Sequence, residues 1–299
     1  MTGGEGDRGP ARSRPVHVST TGFTERRLGD ILSRAAAEGI GAIELSDVRD
    51  PDLSVLEPAR DAGTSFLVHN YFPPPADPFL LNLASPDPDN LERSRAHCRA
   101  AIDLSARLGA PAYGAHAGFA YDLPPALLGH PAEQAAIPLD AIEGRDRTLG
   151  RLVESARLLA EHGESRGVRF LLENHVCSPL SGEAGRRMLP ACTPGDLVEL
   201  VDAVAHPWFG ILFDTGHAMV SAGTFGFSAE GMLEAVAPHV GGLQLSVNDG
   251  IADQHQPFGP DAWFLPWLRR LPDATLTAEL AASDPAVLRA TVAVIREAS

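Results

Sequence analysis

Short runs rich in Val, Ile, Leu and Phe alternate along the chain with longer stretches in which apolar residues recur every three to four positions. Runs of that length suit buried strands, and the longer spacing suits helices with one face turned inward. Eight runs stand out: Val16 to Thr20, Ala42 to Ser46, Ser65 to His69, Ala112 to Ala117, Val168 to Asn174, Gly210 to Thr215, Gly242 to Val247 and Thr275 to Leu280. Helical patterns lie near residues 24–38, 51–62, 89–108, 145–166, 194–205, 229–237, 261–270 and 284–297. Two carry start signals, a capping Thr193 before Pro194 and Ser283-Asp284 before Pro285. Strands apolar on both faces, each followed by a helix, call for a parallel α/β sheet covered all round, and eight such units close into a barrel. An open doubly wound sheet would usually carry a glycine-rich turn after its first strand, whereas Thr21-Gly22-Phe23-Thr24 contains no G-x-G-x-x-G.

The pattern has no linker within residues 15–299, so one domain is expected there. Residues 1–14, MTGGEGDRGPARSR, read as a loose tail with too little apolar sequence for a signal peptide or anchor. A length of 299 residues suits a single barrel, and a 44% hydrophobic fraction fills a sizeable core. Three Cys without a CxxC pair fit reduced thiols and a cytoplasmic setting. No run of 18 apolar residues occurs, so no membrane span is expected.

Charge narrows the chemistry. All 24 basic residues are Arg, which removes Schiff-base lysines and phosphate-loop lysines. With 39 acidic residues the net charge is 24 minus 39, or -15, a field that disfavours nucleic acid and anionic membranes and points to a small-molecule substrate.

In a parallel barrel the reactive groups gather where strands end. Glu173, Asp214 and Glu279 each end an apolar run, and three carboxylates at one mouth would repel one another strongly unless a divalent cation joined them. His69, His116, His217 and the pair Asp253-x-His255 extend the set. Mixed oxygen and imidazole donors suit Mn²⁺ and Zn²⁺ foremost, with Fe²⁺ and Co²⁺ also fitting. Asp253 and His255, two apart, can face the same way, and the Gly between Asp214 and His217 would let the chain turn. Taken singly, a strand-end His is more often a hydrogen-bonded core residue, and a buried Glu could pair with Arg. The convergence of six such ends favours metal ligation. His97, His130, His162, His206 and His239 read as residues of the other face. Arg186-Arg187, in the segment after the fifth strand, could clamp an anionic group.

These residues carry a resemblance. His69, His116 in GAHAGF, Glu173 in LLENH, Asp214 and His217 in FDTGH, Glu279 in TAEL and the stretch NDG..DQH.P.G from Asn248 to Gly259 stand in order at successive strand ends. Over essentially all of 15–299 the sequence resembles the xylose-isomerase-like barrels of the sugar phosphate isomerase/epimerase and endonuclease IV superfamily. That resemblance implies a single-domain (β/α)8 TIM barrel and a metal-dependent isomerase or epimerase acting on a sugar or related polyhydroxy carbonyl compound. Glu173 and Glu279 would be the proton carriers. Glu173, Asp214, the residue at position 244 and Glu279 would hold the metal, with His69, His116, His217, Asp253 and His255 as further ligands. Asn70, Tyr71, His175, Asn248, Arg186 and Trp263 are expected at the substrate, and a homo-oligomer is compatible with the family.

The chain departs from the family at one place. Its relatives usually carry a ligand His in a stretch like H-x-H-x-x-D-N-D-G, and counting back from Asn248-Asp249-Gly250 places Gln244 there. A Gln carbonyl serves a hard cation but binds Zn²⁺ less well than imidazole. Two alternatives stay open: phosphoester hydrolysis by a two- or three-metal cluster of the endonuclease IV type, and a binding module whose metal site has decayed. Residues 118–144 and 176–193 follow strands and are expected to form a lid over the mouth, without secondary structure of their own.

Overall fold

The computed structural model describes residues 14–49 and 51–299. Eight strands, β1 (Val16–Ser19), β2 (Ala42–Leu45), β3 (Ser65–His69), β4 (Ala112–His116), β5 (Arg169–Glu173), β6 (Phe209–Asp214), β7 (Val240–Leu245) and β8 (Thr275–Ala278), pair in parallel and close into a barrel in sequence order. The helices around it are α1 (Leu28–Ala37), α2 (Leu56–Asp61), α3 (Pro88–Leu108), α4 (Pro131–Gln134), α5 (Arg145–Arg166), α6 (Gly182–Met188), α7 (Pro194–Val204), α8 (Thr215–Phe225), α9 (Ala229–Val236), α10 (Leu265–Arg270) and α11 (Pro285–Ala298). This is the (β/α)8 TIM barrel. No described helix is long and apolar enough to cross a membrane. The expected tail lies outside the described residues except for Arg14, whose guanidinium donates to the carbonyls of Leu268, Leu271 and Ala274 below the barrel.

The register determines what faces the lumen. Ser19 pairs with Glu44, Glu44 with Leu67, His69 with Gly114, His116 with Glu173, Asp214 with Gln244 and Gln244 with Thr277. Side chains alternate along a strand, so these positions and those two residues away share the inner face. Low in the barrel, His17 touches the Leu276 carbonyl and the Ser65 hydroxyl, each at 3.1 Å. Above it Ala112, Leu171 and Leu212 form a separate apolar plug. Glycine makes room for it: a Cβ on Gly114 or Gly242 would lie 2.5 or 2.9 Å from a Leu212 methyl. The polar layer at the mouth rests on this plug.

Three expectations about elements need correction. The stretch after β6 holds α8, which begins immediately beyond Asp214. Helix α8 is buried on most sides, so it lacks the one-sided apolar stripe that marks a helix in sequence. The segments 118–144 and 176–193 are also structured, carrying α4 and α6. They pack on each other around Leu80, Phe119, Leu123, Cys177, Met188 and Cys192, a second small core, and Ala120 N–H donates to the Met188 carbonyl at 2.8 Å.

Candidate metal centre at the barrel mouth

Four overlapping groups of ligand atoms meet at the mouth, the atoms of each lying within 4.8 Å of one another: His69, His116 and Glu173; Glu173, Asp214 and His217; Asp214, His255 and Glu279; and His217, Asp253 and His255. All the metal ligands expected from sequence are therefore brought together, apart from Gln244, which stands beside Asp214 on the neighbouring strand. Glu173 is central. Its carboxylate lies 3.4 Å from His69 Nε2, 3.2 Å from His116 Nε2 and 2.9 Å from His217 Nδ1.

Local backbone chemistry sets these groups in place. Asp214 caps α8, its Oδ1 accepting the His217 N–H at 2.6 Å, which pins the carboxylate and leaves Oδ2 toward the mouth. The Gly216 backbone is not in a left-handed conformation, so the glycine in DTGH does not serve the turn. Its task is close approach: a Cβ there would stand 2.5 Å from Ser246 Oγ and 2.7 Å from Asn248 Nδ2. Asn248 organises the loop after β7. Its Oδ1 accepts from the N–H groups of Gln254 and His255 and its Nδ2 donates to Asp253 Oδ1. His255 and Asn70 both hold left-handed backbone, at φ 47° and 46°, a strain that non-glycine residues carry mostly where position matters.

The site is short of positive charge. Among the described residues no arginine pairs with Glu173, Asp214 or Glu279. Burial, with Asp214, Glu173 and Glu44 nearby, pushes the Glu279 carboxyl well above the usual range, and burial raises Asp214 too. Burial also works upward on Glu173, but His116 and His217 outweigh it and hold that carboxyl well below its ordinary value. For His217 burial acts downward and is overcome by Asp214, Asp253 and Glu173, so its imidazole is raised well above the usual range. His69, buried and next to other imidazoles, is lowered to about 4. Both upward shifts reflect negative charge gathered in a buried space without a compensating cation.

The buried Asp214 Oδ2, Gln244 Oε1 and Glu279 Oε2 have no hydrogen-bond donor, and the Glu173 oxygens meet only the imidazoles of His69, His116 and His217. Buried acceptors are costly without a donor or an ion. The donor set therefore fits a divalent cation held by Glu173, Asp214, Gln244 and Glu279, with the two imidazole-bearing groups on its flanks.

The residues expected at the substrate are distributed differently. Asn70 reaches the centre, with its Nδ2 3.4 Å from His116 Nδ1. The Tyr71 hydroxyl is occupied by the Leu81 N–H at 2.6 Å. His175 is buried against the Gly118 carbonyl at 2.7 Å, its imidazole pushed by burial to about 3, and so holds the β4 loop. Asn248 is taken up by the loop it organises, and Trp263 lines surface hollows, one of them on the outside of that loop. Arg186 donates to the Thr224 carbonyl, lies over Phe225 and faces a separate cavity of about 370 Å³ with Arg145 and Arg187. His97, expected on the other face, supports the β3 loop through the Asn70 carbonyl at 3.1 Å.

Sequence reasoning missed Glu44. This β2 carboxylate is 2% exposed and accepts from Gln244 Nε2 at 3.0 Å and Thr277 Oγ1 at 2.9 Å. Its signal was a lone carboxylate inside the apolar run Ala42 to Leu45.

A family-wide sequence profile described as xylose isomerase-like TIM barrel matches residues 32–297. No curated protein sequence matches the chain. Among solved structures, a D-tagatose 3-epimerase-like protein superposes with a TM-score of 0.69 at 19% identity, over 95% of this chain and 98% of that one. A Thermus thermophilus protein soaked with zinc chloride is 25% identical, with a TM-score of 0.59 and coverage of 95% and 98%. The 3-keto-D-glucoside 4-epimerase of E. coli has a TM-score of 0.66 at 13% identity, over 95% and 99%. A barrel closed in strand order and a profile that runs from α1 into the last helix agree, and the chain belongs to the xylose isomerase-like TIM barrel family.

Proposed function

We propose that this protein is a divalent-metal-dependent isomerase or epimerase of a sugar or related polyhydroxy carbonyl compound. The observation that carries this is the set of buried oxygens on Glu173, Asp214, Gln244 and Glu279 left with no donor other than an imidazole, at the open end of a barrel whose lumen is plugged below. A divalent cation bound there supplies Lewis-acid polarisation of adjacent substrate oxygens. Glu173 and Glu279, from strands on different sides of the mouth, take a proton from the carbon beside the carbonyl and return one. Asn70 lies close enough to contribute a polar contact to a hydroxylated substrate, and α8 with the Asn248 loop keeps the ligands rigid. The names of the epimerase neighbours fit this reading, and Mn²⁺ or Zn²⁺ suits the donors best.

The test works for either stereochemistry of the substrate. Metal-loaded protein in D₂O is expected to exchange deuterium into the carbon next to the carbonyl of a ketose or aldose, read by proton NMR. Glu173→Gln and Glu279→Gln should each slow exchange by about 10²-fold or more while the fold is kept. Full exchange in either variant would remove that residue from the chemistry.

A second reading, phosphoester hydrolysis by a multinuclear cluster, is favoured by one observation: His69, His116 and Glu173, and likewise His217, Asp253 and His255, each form a complete three-ligand group. Metal analysis separates the two. One tightly bound ion with carbon-bound deuterium exchange supports the isomerase; two or three ions with phosphatase activity and no exchange support hydrolysis.

A further inference from the structure

A glutamine placed where relatives use histidine can point either end of its amide at a cation. Oxygen forward makes it a ligand; nitrogen forward makes it a repellent. The choice must be made by something behind the amide. In this chain that something is Glu44, on a strand distant in sequence from Gln244 and buried with it.

We propose that Glu44 is a positioning residue that holds the Gln244 amide with its nitrogen turned inward and its carbonyl oxygen free for a metal ion. The inference rests on the reading of the mouth as a divalent-cation site. Three observations carry it. Gln244 Nε2 donates to Glu44 Oε1 at 3.0 Å, and the other carboxylate oxygen is taken by the Thr277 hydroxyl at 2.9 Å, so Glu44 is itself fixed from two sides. Gln244 Oε1 is buried and has no donor, which a pair serving only to satisfy each other would not leave. And β7 runs between Asp214 on β6 and Glu279 beyond β8, so Gln244 stands between the strands that bring the two donor-free oxygens Asp214 Oδ2 and Glu279 Oε2 to the mouth.

The arrangement does not depend on the charge of Glu44. A carboxylate can only accept, which selects the NH₂ end of the amide. If Oε2 carried a proton, the Thr277 hydroxyl could accept it, and Oε1 would still receive Gln244 Nε2. Outer partners of this kind orient ligands in metal sites generally, and their loss typically weakens metal binding by about 10- to 100-fold.

The test is a double-mutant cycle read by metal binding on the full-length protein. Metal-free wild type, Glu44→Leu, Gln244→Ala and the double variant are titrated with Co²⁺, following its visible absorption bands. Glu44→Leu and Gln244→Ala are each expected to weaken binding about 10-fold or more and to shift the bands alike, and the double variant should be no weaker than the worse single one. Glu44→Gln, which keeps an acceptor for Gln244 and a partner for Thr277, should bring the wild-type bands back. Should Glu44→Leu fail to fold, Thr277→Val loosens Glu44 without removing its charge and should give a smaller loss that disappears in the Gln244→Ala background. Losses that add in the double variant would mean that Glu44 acts by charge alone, and a folded Glu44→Leu that binds like wild type would remove its role; either overturns the inference while the metal reading stands. Wild type that binds no Co²⁺, Zn²⁺ or Mn²⁺ overturns both.

Discussion

Gln244, set by the family resemblance at a histidine's place, offers a hard ligand's oxygen. Replacing it by His should tighten Zn²⁺ or Co²⁺ binding, because one imidazole nitrogen can donate to Glu44 while the other faces the ion. Isothermal titration checks this, and unchanged affinity would mean that position 244 does not touch the metal. At this scale the carboxylates of Glu173, Asp214 and Glu279 were legible because each ends an apolar run with a charge that burial alone would not tolerate. Glu44 obeys the same rule but sits inside a strand, where a carboxylate reads as a break in the pattern, and its partners come from β7 and β8, about 200 residues away. His175 and Asn248 show the converse case. Their types and places suit a substrate contact, yet their polar atoms are already taken by backbone groups and, for Asn248, by Asp253 as well. No spacing rule reveals that.

Among elements, the eight strands could be read because a parallel strand buried on both faces leaves an unbroken apolar run. Helices with one wet face could be read for the matching reason. Thr193 and Asp284 cap their helices as the sequence implied, Thr193 in a reciprocal capping box with Asp196. Helix α8 is wrapped by α9 and by the loop after β7, and its buried small residues carry no direction. Gly216 makes that packing testable. In Gly216→Ala the new methyl would press on Ser246 and Asn248, and overpacking of this kind costs about 1–3 kcal/mol. A thermal melt should show the loss. Metal affinity should fall as well, since Asn248 sets Asp253 and His255, and a variant that melts and binds like wild type would disprove the close approach.

For the whole molecule, acid is the informative stress. His17, low in the lumen, is pushed by burial to about 4 despite its contact with the Leu276 carbonyl. Its folded value lies below the ordinary one of 6.5, so the unfolded chain binds the proton first. The stability tied to the neutral ring is full above pH 6.5 and is lost as pH falls toward 4, up to roughly 3 kcal/mol. In metal-free protein the melting temperature of wild type should drop over that window, and His17→Gln, which leaves His69 and the other mouth groups unchanged, should drop less; parallel curves would show that His17 does not titrate on unfolding.

Arg14 has a practical consequence. By gripping the carbonyls of Leu268, Leu271 and Ala274, it ties the approach to β1 to the segment before β8, on the face opposite the carboxylates. A linkage made to a solid support on that rear face would leave the open mouth turned to the bulk solution.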